Sequence, residues 1–161
     1  MKISDSSSKR LASLRLWSTK SRWTSPPQPN GSGGVVNDVE RWSEWTASIR
    51  KIERLGSGQL GRGSQARRHQ PRFPVLVWKV TEYEPGSGFT WEVRTFGAHT
   101  IGEHWIERKS ANLCTVRLKI IQRDFLVPIL APFMNKITRD YMNMEAQGLK
   151  SRCEPGLQAS A

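Results

Sequence analysis

VLVWKVTEYEPGSGFTWEVRT, residues 75–95, alternates apolar and polar side chains on both sides of a five-residue loop, EPGSG. Successive side chains along a strand point to opposite faces, so each half reads as a half-buried strand. A short Pro/Gly loop between two such runs makes an antiparallel hairpin. One choice of register then assigns every residue. With Thr90, Glu92 and Arg94 turned to water, Phe89, Trp91 and Val93 turn inward; in the same way Leu76, Trp78 and Val80 oppose Lys79.

Four more strand patterns flank this hairpin. SIRKIERL (48–55) ends at GSGQLGRGS, and SQARRHQP (64–71) ends at Pro71 and Pro74. AHTIGEHWIER (98–108) and LCTVRLKII (113–121) are joined by KSAN, a second hairpin signal. In the last strand Cys114, Val116, Leu118 and Ile120 point in while Thr115, Arg117 and Lys119 point out. For 98–108 the register that turns Gly102, His104 and Ile106 inward exposes Trp105, and it is preferred because burying Glu103 and Glu107 costs more. If Ala66 faces in, so do Arg68 and Gln70, which with His104 place convergent polar groups in an apolar interior.

The period changes after Pro128. Leu130, Phe133, Met134, Ile137, Tyr141, Met144 and Leu149 recur at spacings of three, four and five, which predicts a long helix with Phe133, Ile137 and Tyr141 against the sheet. Pro128 and Pro132 fit its first turns, and Pro155-Gly156 supplies a stop. Strands followed by one closing helix make an α+β chain with an antiparallel sheet, not a βαβ one.

The 161 residues have room for one ordinary domain, and no apolar run approaches the length that spans a bilayer. The net charge of +11 is uneven: six of the 25 Lys/Arg and one of the 14 Asp/Glu precede Asp38, so the rest is only +6. Residues 1–34, Ser-, Lys- and Arg-rich and then Pro- and Gly-rich, read as an atypical, disordered segment before a domain at 35–154, with 155–161 as a tail. Neither a secretory nor a transit signal fits the opening, and two cysteines without CxxC spacing suit a reducing, cytoplasmic setting.

Sharper motif readings fail on their physics. GSGQLG (56–61) has the glycine spacing of a dinucleotide fingerprint, but the following GSQARRHQP supplies no helix N-terminus for a pyrophosphate. His69, His99 and His104 share no ligand spacing, so no metal is expected, and no cofactor. Cys114 reads as a small buried hydrophobe. Tyr141 and Glu145, in YMNMEAQ, can shape a ligand contact, although core packing is the ordinary role of Met and Tyr at helical spacing. Seven tryptophans and a basic chain suit single-stranded nucleic acid, yet the inward rings oppose Arg94, Arg117 and Lys119. Charge and stacking do not share a surface, so no specific nucleic acid is expected.

DVERWSEWTASIRKIERL, LGRGSQARRHQP, VWKVTEYEPGSGFTWEV, IGEHWIE and TRDYMNMEAQGLKSRCE, in order across 35–154, resemble the START-like (SRPBCC) superfamily, in particular the bacterial polyketide cyclase/dehydrase-like lipid-transport group. The resemblance implies a helix-grip fold, a curved antiparallel sheet wrapped around a long C-terminal helix that encloses a cavity for an apolar ligand. It makes Trp42 and Trp45 packing anchors at the cavity lip. It also sets Arg68 apart, since that position usually carries a branched apolar residue. Upstream, where the family has a strand, a turn and a helix bearing Val-Trp, this chain has TSPPQPNGSGGVV; PNGSGG read one frame over can encode Glu-Arg-Val-Trp. A frame error before about Val35 would remove an edge strand and a cap helix.

The expected function is binding, transport or sequestration of a small hydrophobic or amphipathic molecule. Its expected contacts are Arg68, Gln70, Trp78, Phe89, Trp91, His104, Ile106, Leu118, Phe133, Ile137 and Tyr141. The alternative is a cyclase- or aromatase-type enzyme in which His104 or Arg68 moves a proton.

Overall fold

The computed structural model describes residues 24–25, 31–110 and 113–153. In chain order these form β1 (Thr24–Ser25), α1 (Gly31–Asn37), a 3-10 helix (Val39–Glu44), β2 (Lys51–Arg54), β3 (Gln65–His69), β4 (Leu76–Glu84), β5 (Gly88–Thr95), β6 (Ala98–Ser110), β7 (Leu113–Arg123) and α2 (Val127–Cys153). One antiparallel sheet has the order β1-β7-β6-β5-β4-β3-β2, and α2 closes over it. Most of 1–34, residues 111–112 of the KSAN turn and the tail after Cys153 lie outside the described residues, as does the Cys114 side chain.

The central hairpin forms as its alternation demands, with Tyr83 paired to Phe89 and Glu84 to Gly88. Thr81 is an extra residue, because the register steps from Val80↔Trp91 to Glu82↔Thr90. This bulge turns Tyr83 toward the core, where it packs half-buried. Thr90 is buried rather than open to water as the alternation suggested. Outward-facing Trp105 donates its Nε1–H to Thr90 Oγ1 at 3.1 Å, and the Thr90 hydroxyl donates to Glu82 at 2.8 Å, so the outer face is covered there.

Trp42 holds the cap to the sheet. It is fully buried, with its ring centroid 5.4 Å from Trp91, 6.0 Å from Phe89 and 4.8 Å from His104, and its Nε1–H donates to the Val36 carbonyl at 3.0 Å. Trp45 lies half-buried 5.4 Å away. Both are packing anchors, but neither is a lip residue, since neither lines the cavity described below.

The expected loss of the first strand and cap helix is corrected in part. β1 pairs with β7 at Thr24↔Thr115 and Ser25↔Cys114, just ahead of Pro26-Pro27, which lack the N–H a ladder needs. α1 carries three glycines in seven residues, each costing about 1 kcal/mol of helix propensity, so buried Val36 and its bond from Trp42 hold it in place.

The phase of α2 also differs from expectation. Its inward face is Thr138, Tyr141, Met142, Glu145, Ala146 and Leu149, all buried, whereas Phe133 is 77% exposed and Leu130 and Met144 are exposed as well. Thr138 and Glu145 fall on the inward line despite their polarity, so counting apolar positions alone rotates the helix wrongly. Pro132 lies inside α2, near enough to its start that the missing N–H removes one early helical bond.

A cavity with a buried ion pair at its floor

Between the sheet and α2 lies a cavity of about 250 Å³. Its wall is mainly apolar: Leu76 and Trp78 from β4, Val93 from β5, Ile120 from β7, and Val127, Leu130, Met134 and Met142 from α2. Arg68, Trp78, Val93, Tyr141, Met142 and Glu145 are buried liners, whereas Pro74, Thr95, Phe96 and Leu130 are exposed liners and mark the mouth. Tyr141 is fixed at both ends: its hydroxyl accepts the Arg72 backbone N–H at 3.0 Å, and its ring meets Phe73 edge-on at 5.6 Å.

The polar floor is built by alternation in β3 and the turn of α2. Ala66 and Arg68 face inward while His69 faces Glu53 on the outside at 3.0 Å, as the strand period requires. Arg68 Nη2 donates to Glu145 Oε1, both residues being almost completely buried. The guanidinium lies 5.4 Å from the Trp78 ring centroid and 5.3 Å from that of Trp91, an arrangement in which the ring faces add attraction for the cation. Glu145 also accepts the Ser48 hydroxyl at 3.1 Å and lies 3.4 Å from His104 Nε2; Ser48 is in turn 3.0 Å from Thr46 Oγ1. Gln70 Nε2 donates to the Ser48 carbonyl at 3.3 Å.

Burial alone would raise the Glu145 pKa. The Arg68 charge, with hydrogen bonds from His104 and Ser48, outweighs it and holds the carboxyl below its ordinary range. Burial pushes His104 down against the pull of Glu145, so its imidazole is neutral at pH 7 and uses Nε2–H toward the carboxylate. Burial also lowers Arg68, but a guanidinium beside a carboxylate stays charged. The floor is therefore a neutral sum of two opposite charges. Arg68 Nε and His104 Nδ1 are buried without a hydrogen-bond partner.

Of the eleven expected contacts, Arg68, Gln70, Trp78 and Tyr141 come together on the cavity wall. Phe89, Trp91, His104 and Leu118 point inward but lie in the packed core, not on that wall. His104 sits behind Glu145, enclosed by Trp42, Phe89 and Trp91, so it is not a wall histidine. Ile106 and Ile137 are half-buried off the wall, and Phe133 faces outward. Glu145 is the main addition. Its place in the helical stripe was the available signal, and the buried partner that makes it tolerable, Arg68, lies 77 residues earlier. Among the described residues no cluster of His, Cys, Asp or Glu is suited to a metal ion, and no helix is long and apolar enough to cross a membrane.

Solved structures share this architecture at low identity. A START superfamily protein from Mycobacterium smegmatis is 17% identical, with 86% of this chain and 97% of that one aligned at a TM-score of 0.67. A hypothetical protein from Helicobacter pylori is 12% identical over 95% and 97% of the two chains, with a TM-score of 0.73. Norcoclaurine synthase from Thalictrum flavum, solved with a transition-state analogue, is 11% identical over 84% and 94%, with a TM-score of 0.61. These likenesses establish the helix-grip fold. No curated protein matches the sequence. The family model described as polyketide cyclase/dehydrase and lipid transport matches residues 34–154, three quarters of the chain, and the protein belongs to that family.

Proposed function

We propose that this protein binds a small amphipathic molecule between its sheet and α2, apolar body against Trp78, Val93, Ile120 and Met142, polar end toward Arg68 and Glu145. The observation that carries the reading is an apolar cavity whose floor holds a charge-balanced, almost fully buried ion pair. About 250 Å³ is just below the usual range for ligand pockets, which favours a compact ring system or one short chain over a two-chain lipid. Micromolar affinity needs about 8 kcal/mol net, and burial of roughly 330 Å² of apolar surface at about 25 cal/mol per Å² supplies that much before the cost of immobilising the ligand is met.

A carrier fits the wall better than a cyclase- or aromatase-type enzyme. His104, the expected acid or base, is separated from the cavity, and the Glu145 carboxylate already accepts from Arg68 and Ser48 with His104 alongside. Proton transfer to a ligand would have to break that set.

Native mass spectrometry of the purified protein tests the reading, with Gln122→Trp as the comparison, because Gln122 lines the cavity half-buried and an indole there fills it. Wild type retains a small molecule that Gln122→Trp loses while keeping its fold. Equal retention by a folded Gln122→Trp, or turnover of a polyketide mimic that stops in Glu145→Gln, would reject the carrier.

A further inference from the structure

Isolated exposed apolar side chains are ordinary, but here several large ones gather at one end of the molecule. Phe96 is 86% exposed, Phe125 63%, Ile129 64% and Phe133 77%. Phe96, in the β5–β6 turn, meets Phe125 edge-on with ring centroids 5.7 Å apart. The Leu126 N–H donates to the Gly97 carbonyl at 3.0 Å and so ties that turn to the β7–α2 junction. Ile129 and Phe133 stand one helical turn apart in the first turns of α2, beside Leu130. Phe96 and Leu130 also line the cavity. The apolar cluster is therefore the rim of the mouth.

We infer that this rim docks onto a lipid bilayer carrying anionic headgroups. The first argument is continuity: an occupant of the rim also faces the open end of the cavity, and a molecule apolar enough to enter the cavity partitions into lipid. The second is charge. Of the chain's +11, +6 belongs to the residues from Asp38 onward, and near the rim exposed Arg94, Arg123, Lys136 and Arg139 exceed Glu92, Asp124 and Asp140 by one, with Arg94 3.8 Å from Glu92 and Lys136 2.8 Å from Asp140. Basic charge draws a protein to an anionic leaflet, and inserted apolar side chains hold it there; together they supply the two signals that stable interfacial attachment needs. Docking does not require a filled cavity. That docking serves ligand exchange rests on the function proposed above.

The test is flotation with vesicles of phosphatidylcholine alone and of phosphatidylcholine with a quarter phosphatidylglycerol. Wild type floats with the mixed vesicles, Phe133→Ser reduces partitioning about tenfold, and Phe96→Ser/Phe125→Ser/Phe133→Ser abolishes it with unchanged circular dichroism. Phe133→Trp reports insertion directly, through a blue shift of its added emission on the mixed vesicles. Gln122→Trp, with the cavity filled, still floats, so loss of ligand binding and loss of docking are separable. Equal flotation of wild type and the triple variant would mean attraction by basic charge alone and would overturn the proposal. So would a dimer of wild type that the triple variant disrupts without any vesicle binding, which would give the rim to a second copy of the chain.

Discussion

The Ser48 hydroxyl donates to the Glu145 carboxylate at 3.1 Å across 97 residues of sequence, joining the segment before β2 to the middle of α2. With Arg68 from β3 and His104 from β6 on the same carboxylate, one buried acid ties the helix to both halves of the sheet.

Arg68 and Glu145 are each costly without the other. Arg68→Met leaves a buried carboxylate and Glu145→Met a buried guanidinium, so each single change should destabilise by about 3–5 kcal/mol. The double substitution removes both charges and should recover much of that loss, with a coupling energy of about 3 kcal/mol. Recovery stays incomplete because Ser48 and His104 lose their acceptor. Urea unfolding of the four proteins measures the cycle; additive losses would show that the pair is not coupled.

Acid should weaken the fold in two steps. The unfolded chain protonates His104 near its ordinary 6.5, while the buried, neutral folded form resists. The unfolded state then binds more protons, so the stability contribution is complete above 6.5 and falls as pH drops below it. Glu145 is likewise held below its ordinary 4.5 in the folded state, which adds a second loss below that value. Melting temperature against pH should decline from about neutrality downward, and His104→Gln should remove the upper step. A profile flat from 7 to 5 would contradict the neutral, buried imidazole.

Trp42 and Phe133 are both large aromatics, and the structure gives them opposite weights. Trp42→Ala opens the core between Phe89, Trp91 and His104 and should cost about 3–5 kcal/mol. Phe133→Ala removes an exposed ring and should stay within about 0.5 kcal/mol of wild type. Denaturation midpoints decide between this assignment and one that turns Phe133 into the core.

Strand periodicity made the sheet legible, because a period of two leaves only two registers and buried acids reject one of them. Trp91 and Leu118 face inward as their alternation requires, and Arg68 does so because the condition it rested on, an inward Ala66, holds. The helix was harder to phase. Its inward line includes Thr138 and Glu145, whose partners lie elsewhere in the sequence, while Phe133 and Met144 offered an apolar alternative that ends in solvent. His104 shows a further limit: alternation says that a residue points inward, but whether it meets a cavity or a packed core depends on Trp42, which arrives from the cap. The bulge at Thr81 left no composition signal at all.

Gly148 poses two opposed effects whose balance can be measured. Alanine in a helix interior is favoured over glycine by about 1 kcal/mol, so on propensity Gly148→Ala should stabilise α2. Yet a Cβ built there would sit 1.8 Å from the Trp45 carbonyl oxygen and 3.2 Å from the Trp45 ring. That oxygen belongs to the backbone at the end of the 3-10 helix, whose position is fixed by buried Trp42, so it has little room to retreat. Separating α2 from the cap would strain the packing of Leu149 and Ala146 as well. Overpacking of this kind costs about 1–3 kcal/mol and should outweigh the propensity gain, so Gly148→Ala should melt earlier than wild type. A higher melting temperature would show that the cap yields and that the close approach of α2 to Trp45 is not what positions the helix.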